Sequence, residues 1–147
     1  MLKYTDYDIS TLRPYINWIY FFFAWGLSGK PQEAKDKMRA EAEQMLDRLE
    51  KRYMTHAAFG LFDANSDGDD ILIGDVRMPM LRQQHPTREG DPNLSLADFI
   101  RPLSSGVKDH IGVFATTVDL ALEHEFLADD YQRMLAQTLA DRLAGTV

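Results

Sequence analysis

The stretch Pro31–Ile73, PQEAKDKMRAEAEQMLDRLEKRYMTHAAFGLFDANSDGDDILI, changes its apolar period part-way along, and that change decides the fold class. Up to Tyr53 the residues Ala34, Met38, Ala42, Met45, Leu49 and Tyr53 recur at steps of three and four, the spacing of one helix face. Pro31 suits the first turn of such a helix, where its missing N–H has no partner to lose. The spacing therefore predicts a helix over 31–53, with Glu33/Lys37 and Asp47/Lys51 as i,i+4 pairs on a solvated outer face. From His56 onward the pattern breaks into short β-rich runs. His56–Phe62, Asp70–Ile73, Val76–Leu81 and Ile111–Val118 read as strands with turn residues between them. Asn65-Ser66-Asp67-Gly68 predicts a hairpin turn joining the first two. Pro79 has no N–H for a ladder, which places its strand at an edge or a bulge.

Working outward, Asp129 and Asp130 stand where a helix dipole favours anions. Tyr131, Met134, Leu135, Thr138, Leu139, Arg142 and Leu143 follow as a helical stripe that Gly145 stops. Near the other end, after a polar lead-in, Ser10 or Thr11 is expected to cap a short helix with Pro14 in its first turn. Gln83–Gly106 is loop-rich, with Pro86, Gly90, Pro92, Pro102 and Gly106. Helices, a strand cluster and a closing helix argue for an α+β fold: a mainly antiparallel sheet with flanking helices. The 147 residues carry no repeat and no linker, so residues 1–147 are expected to form a single domain.

Composition narrows the function classes. With 45% apolar and 27% charged residues the chain has the balance of a folding protein. A net charge of −7 offers no cationic face for phosphate backbones or anionic lipid, which argues against nucleic acid and membrane surfaces as partners. The absence of cysteine excludes disulfides, thiolate zinc sites, Fe–S ligation and cysteine nucleophiles, and fits a reducing compartment. MLKYTDYDIS lacks the form of a secretory signal. The longest apolar run, Trp18–Leu27, is about half of the roughly 20 residues a bilayer requires. The chain reads as cytoplasmic.

Two patterns invite a metal reading. Asp63, Asn65, Asp67 and Gly68 fall at positions 1, 3, 5 and 6 of an EF-hand calcium loop. Position 12, which must be a bidentate Glu, is Gly74, and position 8, normally apolar, is Asp70. A hairpin turn rich in Asx residues accounts for the same composition. His56, His85, His110 and His124 are scattered, with no spacing that sets two imidazoles on one helix face, so a metal site could arise only through the fold. GxSxG, P-loop and GxGxxG patterns are lacking.

The aromatic run Tyr15–Trp25, YINWIYFFFAW, is dense enough to count as core or as binding surface. On a helix Trp18, Phe22 and Trp25 share one face while Ile19, Phe21 and Phe23 lie off it, so the segment is expected to be largely buried. Asn17 is the polar residue at its edge, either a structural cap or a contact for a ligand.

Several segments together resemble the activation domain of cobalamin-dependent methionine synthase. They are TLRPYINWIYFFFAWGLSGK, EQMLDRL, FGLFDANSDGDDI, LRQQ, NLSLADFIRPLSSGVKDHIGVFATTV and DDYQRMLAQTLADRLA, in the family's order and over nearly the whole chain. The resemblance implies binding of S-adenosylmethionine. It also implies capping of a separate cobalamin-binding module while the cofactor is reduced by a flavodoxin-like electron donor and remethylated. The family places an aspartate, described as holding the amino group of S-adenosylmethionine, where this chain has Asn17. By resemblance Asn17 is the ligand-binding candidate, Trp18 and Phe22 support it from the core, and no residue is assigned to catalysis or to metal. The resemblance stops at Val147, at the family's mid-domain helix, and a later RPAPGYP segment has no counterpart; the segment after Lys30 is shorter than usual. The expected role is an accessory or split component of methionine synthase, not catalytic alone, with weak binding of the adenosyl ligand by itself. The rival expectation is a non-catalytic interaction protein that keeps the fold without ligand, completed by forming a homo-oligomer.

Overall fold

The computed structural model describes residues 2–147. Their order is β1 (Leu2–Asp8), α1 (Ile9–Leu12), a 3-10 turn Arg13–Tyr15, α2 (Trp18–Ala24), α3 (Gln32–Leu49), β2 (Met54–Asp67), β3 (Asp70–Ile73), β4 (Val76–Pro79), 3-10 turns Leu96–Phe99 and Leu103–Ser105, β5 (Asp109–Val118), a 3-10 turn Leu120–His124 and α4 (Asp130–Ala144). The strands form one five-stranded sheet in the order β1-β2-β3-β4, with β5 also pairing with β2. The β2–β3 and β3–β4 ladders are antiparallel. The architecture is α+β with a mainly antiparallel sheet and flanking helices, as the order of elements predicts.

The chain divides into two compact units, one of residues up to Lys3 with Phe59–Val113, the other of Tyr4–Ala58 with Phe114–Val147. The second holds the larger core. Met38, Ala42, Met45, Leu46 and Leu49 from α3 are buried there together with Leu135, Ala136, Leu139 and Leu143 from α4. Ile9, Leu12, Ile16, Phe21, Leu122 and Phe126 join the same cluster. Each of the larger aliphatic, methionine and phenylalanine side chains contributes roughly 1.5–3 kcal/mol by leaving water. α4 begins where expected: the Asp129 side chain accepts a hydrogen bond from the Gln132 N–H at 3.1 Å, and Gly145 caps the other end.

Several boundaries differ from expectation: β2 spans Met54–Asp67, not His56–Phe62, β4 stops at Pro79, not Leu81, and four further differences have a physical reason. α3 ends at Leu49, four residues short of Tyr53. The chain makes one further helix-like turn, with the Tyr53 N–H donating to the Leu49 carbonyl at 3.0 Å, so Tyr53 stays buried and the apolar period overruns the helix. α1 begins at Ile9 with Asp8 as its N-cap, so neither Ser10 nor Thr11 caps it, and Pro14 lies in the 3-10 turn that follows. The lead-in is not loop but strand β1, hidden because six of its seven residues are polar or tyrosine and none is buried. The hairpin turn lies two residues beyond Asn65-Ser66. β2 runs to Asp67, Asp67 pairs with Asp70, and Gly68-Asp69 form the loop. Gly68 has φ +61° and, among the described residues, no non-glycine has positive φ, so Asp69 does not, the pattern of a type II′ turn. Pro79 closes β4, an edge strand, where its missing donor costs no ladder bond.

The first unit has a small core of Ala64, Ile71 and Ala97, with Ile73, Met80, Ile100 and Ile111 against it. Its long loop is held by side chains instead. Ser66 Oγ donates to the Ile100 carbonyl at 2.8 Å, and Asn65 Nδ2 donates to the carbonyls of Arg101 and Val107 at 3.0 and 2.9 Å. Ser95 and Asp98 form a capping box around the Leu96–Phe99 turn.

Candidate functional site

The 3-10 turn Arg13–Tyr15 is fixed against α3 by one side chain. Arg13 donates to Glu43 Oε2 at 2.5 Å, Asp47 Oδ1 at 2.7 Å and Glu50 Oε2 at 2.8 Å, three carboxylates on one face of the helix. Hydrogen bonds to the three carboxylates outweigh the opposing effect of burial, the largest single influence, and push the guanidinium's pKa up. Four residues later Asn17 is the N-cap of α2, its Oδ1 accepting the Ile19 N–H at 3.1 Å, and it is exposed. The cap role foreseen for Asn17 is therefore present.

Burial of the aromatic run is narrower than expected. Only Ile16 and Phe21 of the run are buried; Trp18, Phe22 and Trp25 are half-buried around Phe21, while Ile19, Tyr20 and Phe23 stand 76%, 59% and 71% exposed. A seven-residue helix packed on one side leaves its other face in water. Trp18 meets Phe21 edge-on at 5.3 Å and Phe22 at 6.3 Å, and the Arg39 guanidinium lies 4.5 Å from the Trp18 ring. Trp25 stacks edge-on against Tyr131 at 5.5 Å. Tyr131 donates its hydroxyl to Glu41, which with burial pushes its pKa up to about 12.

The acidic hairpin is spoken for by cations. Arg77 holds Asp67 and Asp70 at 2.7 and 2.6 Å, Arg82 holds Asp69 and Asp98 at 2.6 and 2.7 Å, and Lys108 holds Asp63 at 2.8 Å. Asn65 and Ser66 are turned to the long loop. The calcium-like spacing thus resolves into ion pairs and loop anchors. Among the described residues no group of three or more histidine or acidic side chains is arranged to hold a metal ion. No helix among them is long and apolar enough to cross a membrane.

The four histidines stay apart in function. His85 and His124 are exposed, and His110 lies 3.3 Å from Asp63. His56 is different: its Nδ1 is 2.8 Å from Asp6 Oδ1 and its Nε2 is 2.7 Å from Asp119 Oδ1. Asp119 Oδ2 also accepts the Met54 N–H at 2.7 Å. His56 and these N–H donors hold the Asp119 carboxyl below its usual range, and the two aspartates raise the imidazole pKa. Asp6 and Asp119 carry no local signal in sequence, being separated from His56 by 50 and 63 residues. Beside the ring is an open cavity of about 360 Å³ lined by Tyr4, Ala57, Ala58, Ala115, Thr116 and Thr117. A second cavity of about 380 Å³ lies where Thr116–Leu120 meet Gln137, Asp141 and Ala144 of α4.

With these elements in place, the chain matches, over residues 8–147, the family described as vitamin B12 dependent methionine synthase, activation domain. The chain belongs to that family. It superposes on a crystal structure of the MetH reactivation domain bound to AdoHcy with a TM-score of 0.84 and 36% sequence identity, over 99% of this chain and 52% of that one. The chain thus spans about half the length of the activation domain it matches. Within the family's fold Asn17 opens α2 and the hairpin Asp67–Asp70 joins β2 to β3.

Proposed function

We propose that this chain serves the reductive reactivation of cobalamin in methionine synthase, with S-adenosylmethionine as methyl donor. It acts as an accessory or split component together with polypeptide equivalent to the other half of the domain. The observation that carries this reading is the match, at 36% identity over 99% of this chain, to a reactivation domain bound to AdoHcy. Cobalamin reaches the chain only through a partner module, and the electrons come from a flavodoxin-like donor, both in the cytoplasm. The corrin and the sulfonium supply the methyl and electron chemistry, while the protein positions them.

Asn17 is the proposed contact to the amino group of S-adenosylmethionine, with Trp18 and Phe22 as its packed support. The fit is partial: the amide oxygen has two lone pairs, and the Ile19 N–H occupies one. The other is free for an ammonium, but a neutral acceptor lacks the opposite charge of a carboxylate and holds the cation more weakly. Calorimetric titration with S-adenosylmethionine tests this, using the chain alone and the chain mixed with a cobalamin-loaded methionine synthase that lacks its activation domain. Weak heat alone and restored reactivation in the mixture are expected; silence in both refutes the reading. Asn17→Asp should tighten binding by about tenfold.

The exposed Ile19 and Phe23 on α2 favour a second reading, an interaction protein without ligand that self-associates. Light scattering after size exclusion separates the two, since a monomer at high concentration rules out self-association.

A further inference from the structure

The Asp6–His56–Asp119 cluster joins β1, β2 and the turn after β5 through a single imidazole, and its geometry suits the protonated ring. An ionised carboxylate only accepts hydrogen bonds, so the contacts at 2.8 and 2.7 Å are both hydrogen bonds only when both ring nitrogens carry protons. A neutral imidazole has one N–H, and in either tautomer its other nitrogen turns a lone pair toward a carboxylate. The two arms differ in how they are held. Asp119 is tied to β2 independently of the ring, its Oδ2 accepting the Met54 N–H at 2.7 Å and its own N–H donating to the Met54 carbonyl at 3.0 Å. Among the described residues Asp6 makes no other side-chain hydrogen bond, and its side chain is 64% exposed.

We propose that His56 is a protonation-controlled latch that fastens the Asp6 end of β1, closed as the imidazolium and opened at the Asp6 arm when the proton leaves. The neutral ring keeps Nε2–H on the fixed Asp119 and presents its bare Nδ1 to Asp6, which swings to solvent. The other groups facing the ring do not compete. β1 adds Tyr4; β2 adds Ala57 and Ala58; β5 adds Ala115, Thr116 and Thr117, none of them charged. Arg52 and the Tyr53 hydroxyl, just ahead on the chain, are committed to Glu125. The imidazole pKa is raised from its ordinary value, first by the Asp6 hydrogen bond and then by Asp119, which moves the transition upward in pH. The latch stands apart from the adenosyl-ligand reading, since it rests on no ligand.

The test follows the intact chain by NMR between about pH 5 and 9. Ring-nitrogen shifts of His56 should report an imidazolium with both nitrogens protonated, and amide exchange of Tyr4–Tyr7 should rise through the same midpoint beyond the intrinsic base-catalysed increase. Asp6→Asn should lower that midpoint and leave the β1 exchange without its extra step. The proposal is overturned if the wild-type β1 exchange follows the intrinsic slope alone, or if the His56 midpoint is the same in Asp6→Asn. Should that variant fold poorly, the wild-type coincidence of the two midpoints still decides the matter.

Discussion

Replacing Arg13 by alanine should destabilise the fold by about 2–3 kcal/mol, more than most surface changes. The guanidinium is 22% exposed and meets three carboxylates whose side chains are 36%, 61% and 26% exposed. Exposed ion pairs are worth about 0.2–1 kcal/mol each. The better-covered Glu43 and Glu50 belong near the top of that range and Asp47 near the bottom, which gives roughly 2 kcal/mol for the set. Truncation also strands three like charges at successive turns of α3 and its C-cap, adding about 0.2–0.5 kcal/mol per pair, with Arg39, 3.6 Å from Glu43, as a neighbouring cation. For a chain of this size the melting temperature should fall by about 4–10 °C. Arg13→Lys should recover about half, because a point charge cannot fork across three acceptors. Calorimetric or circular-dichroism melts at low and at about 1 M salt measure this, and the difference between wild type and Arg13→Ala should shrink at high salt. A loss under about 0.5 kcal/mol, or one indifferent to salt, would show that the three carboxylates do not act through Arg13.

Gly68→Ala should cost about 1–2 kcal/mol with unchanged β2–β3 pairing, because φ is +61° while an added Cβ meets nothing within 4 Å; urea midpoints measure it. Tyr131 should ionise well above the ordinary tyrosine value, and absorbance near 295 nm in wild type against Tyr131→Phe identifies its step. Its folded pKa, near 12, is raised above the unfolded value, so its stabilisation is complete below about pH 10 and lost as pH climbs through 12. Asp98 shows the opposite sign. Arg82 and the Ser95 N–H hold its carboxyl down near 2, so its contribution is intact above about pH 4 and disappears as pH falls toward 2; carbonyl NMR titration of Asp98, with Arg82→Gln as control, follows it.

Local chemistry made the fold class legible. α3 and α4 announce themselves through apolar steps of three and four, and the hairpin through an Asx-Gly turn, because each signal lies within a few residues. β1 was not legible, since an edge strand with no fully buried residue needs no apolar alternation. The aromatic run misled in the other direction: its apolar density suggested full burial, but only the Phe21 side of α2 meets the core. Gly74 and Asp70 already argued against calcium at the hairpin acids, but the cations that hold those acids, Arg77, Arg82 and Lys108, lie 7 to 45 residues away along the chain. Asp6 and Asp119 were invisible for the same reason, as pairing at that separation is a product of topology.

Asn17 shows why the fold and the ligand can part company at one position. Asparagine and aspartate cap helices about equally well, so exchanging them leaves the Ile19 N–H satisfied and α2 in place. The same exchange alters a contact to an ammonium by the difference between a neutral and a charged acceptor. Fold stability therefore exerts little pull on which of the two occupies the site, and affinity for a cationic ligand exerts a strong one. Asn17→Asp should accordingly shift the melting temperature by no more than a degree or two while changing the calorimetric binding constant. If the two moved together, the cap and the proposed contact would have to be a single interaction, and the ligand reading of Asn17 would fall with it.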